Sequence, residues 1–179
     1  MKQSKQLAQK IFSKEELIPQ LKRWELMGKK IVFTNGVFDI LHKGHIHILS
    51  EAATYADILI VGVNADASVK RLKGNSRPIN AEASRALILA ALLMVDAVII
   101  FEEDTPLELI KFIKPNVLVK GGDYTLETIV GAKEVIANGG EVKIITLEEG
   151  FSTTNIIKSF GQSTNDPMTN DPMTNEKIA

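Results

Sequence analysis

Two histidines stand three positions apart around a glycine in the segment Thr34-Asn-Gly-Val-Phe-Asp39-Ile-Leu-His42-Lys-Gly-His45. Two of the chain's 3 histidines lie in this short stretch. Imidazoles can donate hydrogen bonds to oxygens that gain charge when a phosphorus atom is attacked. The glycines at positions 36 and 44 would let the backbone approach a phosphate closely. The segment therefore predicts phosphoryl chemistry, and the simpler alternative is a helix start that happens to contain two histidines.

The residues on both sides of this segment indicate a strand that turns into a helix. Residues 30–34 have the β-branched and aromatic content of a buried strand, while Ile46, Leu49 and Ala53 recur at helical spacing. In an open parallel sheet, such a turn lies at the carboxyl edge of a strand. The free N–H groups of the next helix then face the bound ligand and favour an anion.

Strand-like and helix-like segments alternate along the rest of the chain, which is typical of a parallel α/β sheet. The strand-like runs are short and apolar throughout, as in a sheet that helices cover on both sides. We therefore predict an α/β fold in a single domain, with a Rossmann-like parallel sheet of about five strands and helices on both faces. Strands are expected at 30–34, 58–63, 97–101, 117–120 and 142–145, and helices at about 44–56, 81–93, 106–113, 129–137 and from 153.

The two ends of the chain differ from its middle. We predict an N-terminal helical segment at 1–28, a main domain at 29–161 and a disordered tail at 162–179. The tail repeats Asn-Asp-Pro-Met-Thr, which can neither continue a helix nor bury an apolar face. Near the other end, Ser13 and Glu16 have the pattern of a capping box, but Pro19 should interrupt the helix, so we expect it to restart there.

Composition and charge exclude several classes of protein. A chain of 179 residues with 45% hydrophobic and 24% charged residues fits one globular domain. A net charge of −1, without a basic run, predicts no nucleic-acid or membrane partner. The absence of cysteine excludes disulfides and thiolate metal sites and agrees with a reducing compartment. Because there is no signal-peptide core and no apolar run of the ~18 residues that span a membrane, we expect a cytoplasmic protein.

Further polar clusters follow the later strands, where they should reach the same edge of the sheet. Basic residues after the 58–63 strand suit a clamp for a second anionic substrate or a triphosphate, although such a run is usually a solvated loop. The paired glycines after the 117–120 strand would permit backbone contact with a phosphate, or they form a plain turn. The hydroxyls before the last helix could bind phosphate oxygens, or they serve as simple N-caps. The candidates are Asn64, Asp66, Lys70, Lys73 and Arg77; Lys120, Gly121, Gly122 and Asp123; and Ser152, Thr153 and Thr154.

The histidine segment resembles the GxFDxxHxGH signature of the nucleotidyltransferase superfamily. Six positions match it: Gly36, Phe38, Asp39, His42, Gly44 and His45. From about residue 29 to 158, the strings Asn-x-Asp-Ala-Ser-x-Lys-Arg-Leu-Lys-Gly, Ser-Arg-Pro-Ile-Asn, Val-Lys-Gly-Gly-Asp-Tyr and Ser-Thr-Thr-Asn-Ile-Ile are similar to the adenylyltransferases of ADP-heptose synthesis. The resemblance implies that 29–161 is a nucleotidyltransferase domain.

This resemblance implies a reaction between ATP and D-glycero-β-D-manno-heptose 1-phosphate that gives ADP-heptose and pyrophosphate for lipopolysaccharide. The catalytic residues would be His42 and His45, with Lys43 as supporting charge. Magnesium would arrive with ATP, held by few protein ligands and several waters, and no dedicated protein metal site is predicted. A separate kinase would supply the heptose 1-phosphate, and a homo-oligomer is possible.

The resemblance also distributes the remaining residues between the two substrates. Asp39 would orient a histidine or a metal-bound water, or else stabilise the turn. Arg85, on the helix after the Arg-Pro-Ile-Asn string, would be a phosphate ligand or a surface residue. Nucleotide binding is assigned to Thr34, Asn35, Gly36, Phe38, Asp39, Gly44, Lys120, Gly121, Gly122, Asp123, Ser152, Thr153 and Thr154, and substrate binding to Asn64, Asp66, Lys70, Lys73, Arg77 and Arg85.

Two other functions remain open at this stage. Glycerol-3-phosphate cytidylyltransferases share the first motif but carry an Arg-Thr pair before the last helix, where this chain has Leu147 and Glu148. That difference argues against the cytidylyl branch, while other sugar-phosphate nucleotidyltransferases would keep the histidine pair. A non-catalytic nucleotide-binding domain is the alternative from another class, and the presence of both histidines argues against it.

Overall fold

A computed structural model describes residues 5–122 and 124–146 of the chain. Within these residues, helices and strands alternate as the sequence predicts, and the α/β fold with a parallel sheet is confirmed. The helices are α1 (Lys5–Ala8), α2 (Lys14–Leu26), α3 (Lys43–Ala53), α4 (Asp66–Lys73), α5 (Glu82–Ala90), α6 (Leu107–Ile113) and α7 (Ala132–Ala137). The strands are β1 (Ile11–Phe12), β2 (Ile31–Gly36), β3 (Ile58–Asn64), β4 (Ala97–Phe101), β5 (Val117–Gly121) and β6 (Glu141–Ile145).

The sheet has 6 strands in the order β1-β4-β3-β2-β5-β6, and all its pairs are parallel. The chain builds outward from β2 to β3 and β4, then crosses back to place β5 on the other side of β2. Strand order therefore reverses between β2 and β5. In open α/β sheets, ligands bind at such a switch point, beyond the carboxyl ends of the strands.

Strand β1 is the one that the sequence did not predict. It has only 2 residues and pairs with β4, with Ile11 opposite Val98 and Phe12 opposite Ile99. A run this short shows no alternation of apolar and polar residues, so periodicity could not identify it. The N-terminal segment thus contains a strand of the sheet as well as helices.

Helix α2 runs through Pro19 without restarting, so that expectation was wrong. The predicted capping box is present: the Ser13 side chain accepts from the Glu16 N–H, and Glu16 accepts from the Ser13 N–H. Proline removes one backbone hydrogen bond from the helix. The cap, together with burial of Leu17 and Trp24 against the sheet, keeps the helix continuous.

Side chains alternate between the two faces of the sheet, and each face has its own core. Phe33, Ile60 and Leu118 pack on one face with residues from α2, α6 and α7. Val32 and Val61 pack on the other face with residues from α3 and α5. The predicted helices on both faces are therefore present, and they hold the strand ends rigidly in place.

Two helices begin or form differently from the prediction. The first part of the basic run 70–77 belongs to helix α4 rather than to a loop. Its basic residues lie in the last turn of α4, where their charge interacts favourably with the helix dipole, and Gly74 ends the helix with φ 90°. Helix α7 begins only after Gly131, which has φ 87°.

In the part of the chain that the structure describes, no helix is long and apolar enough to cross a membrane. The predicted last helix and the 162–179 tail lie outside the described residues.

Candidate active site

The histidine segment forms the turn between β2 and α3, at the carboxyl edge of the sheet. His42 is the N-cap residue of α3, with an extended backbone, and its carbonyl accepts from the N–H groups of His45 (2.9 Å) and Ile46 (3.3 Å). One helical turn therefore separates the two histidines. Their rings stack with centroids 3.8 Å apart and planes inclined by 26°.

Phe38 packs against both ends of the turn, close to Gly36 and to His45. Its backbone adopts a left-handed conformation with φ 49°, and its buried ring lies 5.3 Å from the His45 ring. A Cβ atom on Gly36 would stand 3.1 Å from Cε2 of Phe38. The glycine at position 36 thus has a packing reason that the sequence interpretation, based on phosphate approach, did not include.

Burial lowers the pKa of both histidines, which favours their neutral forms. Desolvation by burial, followed by the charges of His42 and Lys73, lowers the pKa of His45 to about 4. Desolvation also lowers the pKa of His42. A neutral imidazole has one N–H to donate. The Nδ1 atom of His45 is buried without a hydrogen-bond partner among the described residues.

Lys120 reaches the same edge from β5, across the switch point. Its ammonium group donates to the side-chain carbonyl of Asn35 at the end of β2. Burial lowers the pKa of Lys120 to about 8. Beyond it, a Cβ atom on Gly121 would collide with Ile48 of α3, and the N–H of Gly122, with φ 131°, donates to the Ile145 carbonyl at 3.0 Å.

Lys73 and Arg77 bring positive charge to the histidines. The pKa of Lys73 is lowered by desolvation and then by the charge of Arg77, while Asp39 acts in the opposite direction. Lys73 in turn lowers the pKa of His45, so these groups share one electrostatic environment. The positive charge of Lys73, which acts on His45, favours an anionic ligand beside the histidines.

The Asp39 carboxylate contacts the segment 77–80, which follows α4. It is 3% exposed, and its carboxylate accepts from Arg77 Nε (2.7 Å) and the N–H groups of Ile79 (2.9 Å) and Asn80 (2.8 Å). Desolvation opposes ionisation, but the bonds from Asn80, Ile79 and Arg77 outweigh it and hold the pKa of Asp39 below its usual range. These bonds support the turn-stabilising alternative rather than a role in orienting a histidine or a metal-bound water.

The structure corrects the interpretation of Arg85 as a surface residue, because it is 1% exposed. Its guanidinium donates to the carbonyls of Asn80 (2.9 Å), Val37 (2.6 Å) and Asn64 (2.8 Å) and to the Asp66 carboxylate (2.6 Å). With these acceptors inside the protein, it is not placed to contact a phosphate.

Asn64 and Asp66 belong to the same internal network. The Asn64 amide donates to the Ser68 hydroxyl at 3.2 Å, and the Asp66 N–H donates to the Glu82 carboxylate at 2.6 Å. Sequence reasoning missed Glu82 and also Asn80, whose side chain donates to the Asp39 carbonyl at 2.5 Å. The position of Asn80 in the Ser-Arg-Pro-Ile-Asn string was the only signal that could have identified it.

Some of the remaining candidates lie in the described residues, and others lie outside them. Lys70 is an exposed residue of α4, Lys43 is exposed at the start of α3, and Thr34 is buried within β2. Gly44 is buried in the first turn of α3. Asp123, Ser152, Thr153 and Thr154 lie outside the described residues, as do Leu147 and Glu148.

The described residues contain no group of three or more histidines and carboxylates that could hold a metal ion. Asp39 is the carboxylate closest in sequence to the histidines, and its oxygens already accept from Arg77, Ile79 and Asn80. A divalent cation at this site would therefore depend on the ligand's own phosphate oxygens and on water.

A protein-family model described as "Cytidylyltransferase-like" matches residues 33–159. The protein named "Bifunctional protein HldE" from Marinomonas sp. is 55% identical over 148 residues, which cover 83% of this chain and 31% of that protein. The protein of the same name from Campylobacter jejuni subsp. jejuni is 58% identical over 149 residues, with 83% and 31% covered. The chain thus spans less than a third of the length of these relatives.

Two solved structures are similar to this fold. The first is "lipopolysaccharide core biosynthesis protein" from Thermoplasma volcanium, with 34% identity, a TM-score of 0.55, and coverage of 68% of this chain and 98% of that one. The second is "Pantoate-beta-alanine Ligase" from Francisella tularensis, with 17% identity, a TM-score of 0.52, and coverage of 84% and 79%. The second likeness concerns the fold alone. The family match over residues 33–159, together with the paired histidines at the switch point, establishes that this chain belongs to the cytidylyltransferase-like family of nucleotidyltransferases.

Proposed function

We propose that the chain transfers AMP from ATP to D-glycero-β-D-manno-heptose 1-phosphate and releases pyrophosphate. The observation that carries this proposal is the stacked pair His42 and His45, 3.8 Å apart at a helix start and in the same electrostatic environment as Lys73 and Arg77. Identity of 55% and 58% to two bifunctional relatives supports the choice within the family, as does the printed name of the Thermoplasma volcanium structure.

In the proposed reaction, a phosphate oxygen of the heptose 1-phosphate attacks the α-phosphorus of ATP in line. The new P–O bond forms as the bond to pyrophosphate breaks, so no covalent intermediate on the protein is needed. Catalysis then consists of positioning two anions and stabilising the charge that develops on the α-phosphate and the leaving group. The Nε2–H groups of neutral His42 and His45 would supply this stabilisation.

The two substrates would occupy opposite sides of the histidines. Lys120, from β5, would contact the triphosphate, while Lys73 and Arg77 would hold the phosphate of the sugar. The predicted contacts of Ser152, Thr153 and Thr154 with the β- and γ-phosphates remain part of this proposal. Magnesium would enter with ATP and neutralise the pyrophosphate charge, and the saturated Asp39 carboxylate is not assigned to it.

The proposal includes a kinase as the source of heptose 1-phosphate, as predicted above, and a cytoplasmic location in which ATP is available. The product would be an activated sugar for lipopolysaccharide assembly. Homo-oligomer formation stays a prediction.

Pyrophosphate release tests the function directly. Each of the four nucleoside triphosphates is combined with heptose 1-phosphate, with other sugar 1-phosphates and with glycerol 3-phosphate. We expect ATP and heptose 1-phosphate to give the highest kcat/KM, with ATP preferred over CTP by at least about tenfold. Equal use of CTP, or preference for glycerol 3-phosphate, would assign the chain to the cytidylyl branch; no release with any pair would favour a non-catalytic domain.

A further inference from the structure

The segment 77–80 is fastened to the histidine turn by Asp39. Three donors of this segment converge on one buried carboxylate: Arg77 Nε at 2.7 Å and the N–H groups of Ile79 and Asn80 at 2.9 Å and 2.8 Å. The Asn80 side chain returns a bond of 2.5 Å to the Asp39 carbonyl. Asp39 stands three residues before His42, so the segment is attached directly to the catalytic turn.

Arg85 fastens the same segment from the other side. Its buried guanidinium connects Asn80 with Val37, in the turn after β2. It also bonds to Asn64 at the end of β3 and to Asp66 at the start of α4. One side chain thus connects three loops that meet at the carboxyl edge of the sheet. Buried charges with this many partners hold their partners in one geometry, because release of any one leaves an unpaired polar group in the interior.

The bond to Asp39 also sets the direction of Arg77. Only Nε of Arg77 is used by the carboxylate, and its terminal nitrogens have no hydrogen-bond partner among the described residues. The side chain is largely buried, with 13% exposed, and its charge acts on Lys73, which in turn acts on His45. A guanidinium whose Nε–H is bonded to a carboxylate keeps its two terminal NH₂ groups available for bidentate binding of a phosphate.

We propose that Asp39 and Arg85 are positioning residues that hold the segment 77–80 against the histidine turn, so that Arg77 presents its terminal N–H groups to the phosphate of the acceptor sugar. This inference rests on the proposed function. It assigns acceptor recognition to Arg77 through Asp39, and it removes Arg85 from the set of groups that touch substrate.

The test is a comparison of Asp39→Asn with Asp57→Asn. Asp57 also accepts a backbone N–H, that of Lys30 at 2.9 Å, and a lysine side chain, but it does so at the opposite edge of the sheet. In Asp39→Asn, an amide NH₂ replaces one oxygen and faces donors, so the segment should loosen. We expect KM for heptose 1-phosphate to rise about tenfold or more while KM for ATP changes less than about twofold, and Asp57→Asn to change neither.

A merely structural role would predict a different pattern. Equal changes in both KM values, or a loss of kcat alone, would overturn the proposal. The double variant Asp39→Asn with Arg77→Gln adds a second criterion: if Asp39 acts through Arg77, KM for the sugar should rise no further than in Arg77→Gln alone, because coupled residues are not additive. Additive effects would contradict the assignment.

Two further measurements cover loss of folding and failure of the proposed function. If Asp39→Asn does not fold, Arg77→Lys is the alternative variant. It keeps a cation near Asp39 but lacks the guanidinium that could bind a phosphate in a bidentate way, so it should also raise KM for heptose 1-phosphate. An unchanged KM would overturn the proposal. Calorimetric binding of heptose 1-phosphate without nucleotide distinguishes the two hypotheses. If the wild-type protein binds heptose 1-phosphate without turnover, only the proposed function is contradicted. An unchanged Kd in Asp39→Asn or Arg77→Lys contradicts the positioning role. If the wild-type protein does not bind the sugar phosphate, both hypotheses are contradicted.

Discussion

The two edges of the sheet use the same kind of hydrogen bond for different purposes. At the amino edge, exposed side chains accept the N–H groups that begin strands: Asp57 accepts from Lys30 (2.9 Å), Asn116 from Ile31 (2.8 Å) and Asp96 from Leu59 (2.8 Å). At the carboxyl edge, the buried Asp39 accepts three bonds from a segment about 40 residues away. Water competes for the hydrogen bonds of the exposed side chains at the amino edge, and burial excludes it from those of Asp39.

This difference explains where the unusual acid–base properties are found. Hydrogen bonds from the Lys30 backbone and the Lys29 side chain lower the pKa of Asp57. Desolvation acts in the opposite direction, but its effect is smaller than that of these bonds. At the carboxyl edge, desolvation is the largest cause of the shifts at His45 and Lys120, whose pKa values fall to about 4 and about 8. The amino edge therefore defines strand starts, whereas the carboxyl edge prepares groups for a ligand.

Removal of a histidine should give the largest contrast between the edges. We expect His42→Ala or His45→Ala to lower kcat on the order of a hundredfold or more, because each would remove a donor that is proposed to stabilise developing charge. His47, on the same helix but outside the stacked pair, provides the matched control, and His47→Ala should retain near-normal kcat. Near-normal turnover in a folded His45→Ala protein would contradict the assigned role.

Lys120 should give the carboxyl edge a pH dependence that the amino edge lacks. Because the pKa of Lys120 is lowered to about 8, the protonated form, which is proposed to bind the triphosphate, is lost as pH rises through that value. We predict that kcat/KM for ATP is level near pH 7 and falls about tenfold per unit above pH 8. Lys120→Arg, which stays charged, should move this fall to higher pH, and an unmoved profile would assign the titration to another group.

Glycine replacements should separate loss of function from loss of stability. At the carboxyl edge, Gly36→Ala would press on Phe38 and through it on His45, so we expect kcat to fall severalfold with a modest change in melting temperature. At the amino edge, a Cβ atom on Gly140 would stand 2.8 Å from the Asn116 carbonyl, which is backbone and cannot move aside. Gly140→Ala should therefore lower the melting temperature and leave kcat of the folded protein unchanged. The reverse pattern would show that the edges are not functionally distinct.

The smallest effect is expected for Asp57→Asn. The lowered pKa of Asp57 means that its contribution to stability is present above the usual carboxyl range and is lost as pH falls through its folded value. We predict a small decrease in melting temperature at pH 7, a difference that disappears in acid, and unchanged kinetics. A clear change in kcat would mean that the amino edge is coupled to the site.

Local signals in the sequence predicted the turn between β2 and α3 that carries the histidines. The contacts that the sequence could not predict are non-local. The histidine pair, the strand before it and the helix after it lie within about 25 residues, so spacing alone identified them. The partners of Asp39 and Arg85 are up to 48 residues away in the chain, and no periodicity connects them. For that reason Arg85 was assigned to substrate, although its acceptors are all inside the protein.

The position of phosphorus attack tests the central claim most directly. The protein is incubated with ATP, magnesium and heptose 1-phosphate, and the products are followed by phosphorus-31 NMR. The account predicts a pyrophosphate signal together with the coupled pair of a sugar-linked ADP, which arise only when the sugar phosphate attacks the α-phosphorus, and neither should form in His45→Ala at a comparable rate. ADP with a doubly phosphorylated sugar, or ADP with inorganic phosphate, would place the attack at the γ-phosphorus and contradict it.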